Sequence, residues 1–127
     1  MGQTPDQFMQ AYEHATANHD LASTLERIDD DAIYLFSNES VHIGKPAVEW
    51  VLRHNFEVIK AESYSISNLT WMAQSDDVAA CVYDYAWSGT IDGEKMSGFG
   101  RGTCVLKRSG DEWRIVHEHL SRGKFKN

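Results

Sequence analysis

The sequence predicts an α+β domain in which a curved antiparallel sheet wraps over helices. Three observations carry this. Apolar residues recur at helical spacing in three segments of the first half. From Ser63 onward the apolar residues alternate with a period of two, the signature of strands. Turn signals at Ser75-Asp76-Asp77, Asp92-Gly93 and Ser109-Gly110-Asp111 cut that second half into four long strands that can meander. Helices first and strands later argue α+β architecture with one core.

The elements follow in order. Thr4-Pro5-Asp6-Gln7 opens a helix, with Thr4 as cap, Pro5 in the first turn and Gln7 completing a capping box. Phe8, Ala11, Tyr12 and Ala15 form its apolar stripe, and Asn18-His19-Asp20 breaks it. Asp20 caps a second helix carrying Leu21, Leu25 and Ile28, which Asp29-Asp30-Asp31 ends as a solvated turn. Ala32–Phe36 is β-branched and aromatic and reads as a strand, turned by Ser37–Ser40 into a short return strand, Val41–Ile43. Gly44-Lys45-Pro46 starts a third helix bearing Val48, Trp50, Val51, Leu52 and Phe56. Tyr64, Ile66, Leu69 and Trp71 mark the first long strand; Val78–Thr90, Met96–Arg108 and Trp113–Ser121 are the next three. The order is ααββαββββ. No repeat or linker interrupts it, so residues 1–127 read as one domain.

With 19 acidic and 12 basic residues the net charge is −7, which argues against nucleic acid or an anionic membrane as partner. Arg122, Lys124 and Lys126 form a basic tail that reads as a solvated end. No apolar run reaches the length of a membrane span, and no secretory signal is seen. Cys81 and Cys104 have no metal-binding or redox spacing; free thiols in the cytoplasm are expected. Neither a phosphate-binding loop nor a dinucleotide fingerprint is present, so chemistry without a cofactor is expected.

Strand alternation assigns faces. In Val78–Thr90 the even positions are small, Asp84 excepted; in Met96–Arg108 the even positions include Gly98, Gly100, Gly102 and Cys104. Small residues leave room on a concave face, so the even set is expected inside and Asp84 with it. An inward carboxyl serves as acid or base, as a ligand contact, or as a buried acid satisfied by Tyr or backbone donors. A strict two-residue turn at Asp92-Gly93 would instead set Asp84 opposite Arg101 and lay Tyr83, Tyr85 and Trp87 over Gly102, Gly100 and Gly98. A bulge would bring Asp84 beside Gly102; glycines favour bulges, and this second register is the expected one. His117 and His119 share a face of the last strand and are candidates for proton transfer, interface or structural roles. Two histidines lack a third ligand, so no metal is expected. Tyr12, Tyr34, Trp50, His54 and Cys104 are candidate pocket residues, with Trp50 and His54 on one helix face. With the even set inside, Trp71, Tyr83, Tyr85 and Trp87 face outward and need cover, so a homodimer through that face is expected.

The element order resembles the nuclear transport factor 2-like superfamily, in particular SnoaL-like polyketide cyclases, ketosteroid isomerases and the calcium/calmodulin-dependent kinase association domain. The matching segments are Asp77–Cys81, Thr90–Gly93, Gly100–Thr103 and the ending Trp113–Ser121. The resemblance implies a cone-shaped sheet around a cavity closed by helices, with a dimer often formed on the outer face. It also implies that Glu118 and Leu120 point inward. Positions 86, 104 and 120, where the kinase branch carries pocket arginines, are Ala86, Cys104 and Leu120 here, so the chain departs from that branch.

The resulting functional expectation is a pocket for a small apolar or amphipathic molecule. One form is a cofactor-independent isomerase, cyclase or dehydratase acting on a carbonyl-containing ligand, with Asp84, His117 and His119 as acid–base groups and Tyr12, Tyr34, Trp50, His54, Cys104 and Glu118 as ligand contacts. The alternative is a non-catalytic ligand-binding or oligomerisation module.

Overall fold

Thr4 accepts a hydrogen bond from the Gln7 amide while the Gln7 side chain bonds back to the Thr4 amide, and this capping box starts α1 (Pro5–Ala17). The computed structural model describes residues 2–123 and Phe125; Lys124 and Lys126 of the basic tail lie outside the described residues. Asp20 caps α2 (Leu21–Glu26) by accepting from the Ser23 amide. The chain continues through β1 (Ile28–Leu35), β2 (Val41–Ile43), α3 (Lys45–Val58), β3 (Lys60–Gln74), β4 (Val78–Ile91), β5 (Glu94–Ser109) and β6 (Glu112–Arg122). The three acids at 29–31 are therefore part of β1 and not a free turn. The pairing of β1 shifts between Ile28 and Ile33, so this polar stretch sits in an irregular strand segment.

The six strands form one curved, unclosed sheet in the order β2-β1-β6-β5-β4-β3. All neighbours are antiparallel except β1 and β6, which run parallel. A wholly antiparallel sheet was the expectation. The parallel pair arises because α3 and the three strands β3–β5 intervene before β6 returns beside β1, which a long crossover permits. The helices cover the concave face: α1 lies on β3, α3 on β1 and β2, and α2 bridges α1 and α3. Two polar ties fix α1 to β3. Glu13 accepts from the Ile66 amide at 2.6 Å, and Trp71 Nε1 donates to Asp6 at 2.6 Å.

The core lies between helices and sheet. Phe8, Met9 and Tyr12 of α1 and Val48 and Leu52 of α3 meet Tyr34, Cys81, Tyr83, Cys104, Leu106 and Ile115 from the strands. Among the described residues no helix is long and apolar enough to cross a membrane.

The β4–β5 hairpin adopts the strict two-residue turn. Ile91 pairs with Glu94, Asp84 with Arg101 and Cys81 with Cys104. This corrects the expected bulged register. Asp92 and Gly93 take positive φ of 52° and 81°, the conformation a tight hairpin turn requires. The face assignment of β4 is corrected with it. The odd residues point inward: Tyr83 is fully buried and Tyr85 8% exposed. On β5 the even residues do point inward, as expected. The aromatic set including Trp71, Tyr83, Tyr85 and Trp87 therefore packs on the concave core and is not an outer face awaiting a partner.

Candidate functional site

The inward rings of β4 need space, and β5 provides it. A side chain at Gly102 would meet the Tyr83 ring at 2.5 Å, and one at Gly98 would meet Trp87 Nε1 at 2.6 Å; Tyr85 lies over Gly100 in the same way. Alternate glycines thus make a trough that three rings of β4 fill. The Tyr83 ring crosses β5 over Gly102, and its hydroxyl reaches β6, where it donates to Glu118 Oε2 at 3.2 Å.

Glu118 points inward because β6 carries a bulge. Leu106 pairs with Ile115 but Val105 pairs with His117, so Val116 is an extra residue without a partner on β5. Trp113 and Ile115 face the core before the bulge, and Glu118 faces it after. The extra residue lets one strand send both sets inward. A plain alternation cannot do this, which is why sequence parity left the last strand unresolved.

Four phenols and a thiol surround the Glu118 carboxyl. Tyr12 and Tyr83 hydrogen-bond to it, and the Tyr12 hydroxyl lies 3.1 Å from that of Tyr34. Tyr64 and Cys104 are close enough to feel its charge. Glu118 is only 3% exposed. Burial pushes its pKa up to about 7, with the Tyr12 and Tyr83 hydrogen bonds acting against the shift. Burial, and then the charge of Glu118, raises Tyr12, Tyr34, Tyr64 and Tyr83 well above the ordinary tyrosine value. The phenols are therefore hydrogen-bond donors near neutral pH, while the carboxyl is the group poised to gain or lose a proton there. Cys81 is pushed up to about 12 and Cys104 is raised too, both chiefly by burial, so the thiols stay protonated packing groups.

Of the residues singled out from sequence, the fold brings Tyr12, Tyr34, Cys104 and Glu118 together. It separates the others. Asp84 faces away from Tyr83 and Tyr85, on the convex side of the sheet, so its inward placement is corrected. It is buried there for another reason: Asn68 Nδ2 donates to one oxygen at 2.7 Å and the Phe125 amide donates to the other. His117 and His119 also lie on the convex side; His117 Nδ1 donates to the Ile33 carbonyl at 2.8 Å, and the two rings are 6.2 Å apart. Trp50 and His54 do share a face of α3 and stack with ring centres 5.6 Å apart, but that face is exposed and turned from the core. Tyr83 and Tyr64 were missed as site residues. The signal for Tyr83 is present in the sequence: Tyr-x-Tyr-x-Trp falls opposite Gly-x-Gly-x-Gly when Asp92-Gly93 makes the tightest turn.

Beyond Glu118, alternation along β6 carries Leu120 and Arg122 to the same side. There β6 stops, with Arg122 paired to Gly100, while β5 runs on through Phe99, Gly98 and Ser97. The gap is an open groove of about 850 Å³ lined by Ser37, Tyr85, Trp87, Phe99 and Arg122.

With this geometry in hand, comparison with known proteins places the chain. A SnoaL-like domain model matches residues 6–123. The protein belongs to the SnoaL-like family. Among curated proteins none matches it. Several solved structures share its fold. A candidate aromatic ring hydroxylase from Novosphingobium aromaticivorans is 18% identical, with a TM-score of 0.84 over 94% of this chain and 92% of that one. A candidate calcium/calmodulin-dependent protein kinase II association domain from Xanthomonas campestris is 19% identical, with a TM-score of 0.80 over 93% and 84%. A candidate scytalone dehydratase from N. aromaticivorans is 14% identical, with a TM-score of 0.80 over 91% and 78%. At these identities the likeness is one of fold, the nuclear transport factor 2-like cone.

Proposed function

We propose that this SnoaL-like protein is a small-molecule pocket protein whose interior carboxyl, Glu118, acts as acid and base on an apolar ligand bearing a carbonyl. One observation carries the reading: a carboxyl enclosed by phenols and held by burial near pH 7. A base with that pKa is half ionised at neutral pH, the condition under which it both takes and returns a proton efficiently. In the reaction, a Glu118 oxygen takes the proton from the carbon beside the carbonyl. The electron pair moves to the carbonyl oxygen, and a phenol of the Tyr12–Tyr34 pair donates a hydrogen bond to the enolate. In a β,γ-unsaturated ligand, return of the proton at the γ carbon moves the double bond into conjugation; in a β-hydroxy ligand, Glu118 passes the proton to the departing hydroxyl, which leaves as water as the double bond forms. Asp84, His117 and His119 have no part in this scheme, since their side chains lie on the other side of the sheet. No step calls for a cofactor.

The packed interior sets a condition. Leu120 follows Glu118 on the inward side of β6 and Tyr85 lines the groove at the end of the cone, so in this reading a ligand reaches Glu118 by displacing them. The test uses 2-tetralone in deuterated buffer, with proton loss at its activated carbon followed by NMR. The chain is expected to accelerate exchange above buffer, with a rate that rises through an apparent pKa near 7. E118Q is expected to lose about a hundredfold or more of that acceleration. Exchange at the buffer rate, or an E118Q variant as active as the parent, overturns the reading.

A second reading has its own observation. Ile33 pairs with Ile43 and Leu35 with Val41 on the convex face of β1 and β2, and Ile33, Val41 and Ile43 are all exposed. We infer that a second copy covers this face, so that the homodimer expected from sequence forms through it instead of through the aromatic set.

A further inference from the structure

We propose that the groove at the end of β6 is an anion-selective aromatic site, in which Arg122 binds the carboxylate of a flat aromatic acid whose ring rests against Tyr85 and Trp87. The inference deepens the functional reading above, and rests on it only for what happens after binding. Three observations carry it. First, the groove has substance: about 850 Å³, left because β5 continues past the last residue of β6. Second, its walls are aromatic. Trp87 lies over Gly98 and Tyr85 over Gly100, so the two rings that line the groove are braced by backbone. Third, among the described residues no side-chain hydrogen bond or ion pair engages the Arg122 guanidinium, whereas Arg53 and Arg114 have carboxylate partners and Arg101 bonds to Ser121. Its five donors are left for a ligand, in the fork that matches a carboxylate. Ser37 and Ser97 add hydroxyls at the rim. Glu39 lines the adjoining groove, which shares Ser37 and Arg122, so the site discriminates against ligands carrying more than one negative charge on that side.

The spacing also suits the chemistry proposed. Glu118 and Arg122 are four residues apart on one side of a strand, or about 13 Å. An acid anchored at Arg122 would thus direct its far end along Leu120 toward Glu118.

The experiment titrates 2-naphthoate, and the uncharged 2-naphthalenemethanol, into the full chain, with affinity from calorimetry and the site from backbone amide NMR. Naphthoate is expected to shift amides at 97–99 and 121–123. R122Q is expected to weaken naphthoate about tenfold, the worth of one charge-assisted contact, and to leave the alcohol unchanged. Equal naphthoate affinity in R122Q, or shifts confined to other parts of the chain, overturns the site. E118Q separates the two readings. If E118Q binds naphthoate normally and R122Q does not, the anion site stands whatever the fate of the Glu118 chemistry. If R122Q binds normally, the anion site falls and the Glu118 scheme is untouched.

Discussion

Glu118 is an unusually weak acid because of what it has lost, namely water. Ionising a carboxyl inside the cone is unfavourable, and two phenol hydrogen bonds recover only part of the difference. A stability consequence follows. The folded pKa, about 7, lies above the ordinary carboxyl value of 4.5, so the folded chain binds more protons than the unfolded chain between these values. Stability from this group is therefore full below about pH 4.5, falls as pH rises and is lost above 7. The change is on the order of 3 kcal/mol. Urea unfolding at pH 5 and pH 8 should show the parent less stable at the higher pH, with E118Q showing a much smaller difference; equal pH sensitivity in the two proteins would remove the claim. Tyr83→Phe deletes a donor to the carboxylate, so NMR titration should find the Glu118 carboxyl titrating higher still. At this scale the candidates were only half legible. Tyr12, Tyr34 and Cys104 could be nominated from residue type and spacing, but Asp84 was the more conspicuous acid, and nothing local says which of two acids on separate strands of one sheet looks inward.

Between residue and fold, the decisive objects are a hairpin register and one bulge. The tight Asp92-Gly93 turn sets Tyr83, Tyr85 and Trp87 over Gly102, Gly100 and Gly98, and the extra residue Val116 turns Glu118 inward. Gly102→Ala puts a methyl where the Tyr83 ring lies. Overpacking of this kind is expected to destabilise by about 1–3 kcal/mol and to pull the Tyr83 hydroxyl off Glu118. A denaturant midpoint equal to the parent's would show that the ring is free to move aside. Both registers of the hairpin were readable in the sequence. Small residues suggest empty space and so favour the bulged register, whereas here they are the floor beneath large rings. A glycine facing an aromatic residue on the next strand is filled space.

For the molecule as a whole, the sheet has two faces with different fates. The concave one is closed by α1, α2 and α3, and the convex one keeps Ile33, Val41 and Ile43 in contact with solvent. Exposed apolar side chains adjacent on one face mark a surface that gains by association. Ile43→Asp, at the most exposed residue of that patch, should convert a dimer to a monomer in sedimentation velocity, with the fold retained by circular dichroism. A parent chain already monomeric at high micromolar concentration would refute the dimer.

Element order, the caps at Thr4 and Asp20 and the four long strands follow from patterns a few residues long, because periodicity and turn chemistry are local. So does the resemblance to the SnoaL-like family, which the domain match over residues 6–123 shows. What only the tertiary structure decided is direction. A strand's two faces are chemically symmetric until register, bulges and the covering helices assign one to the core. A shift of a single residue exchanges them, and with them Asp84 for Glu118 as the carboxyl inside.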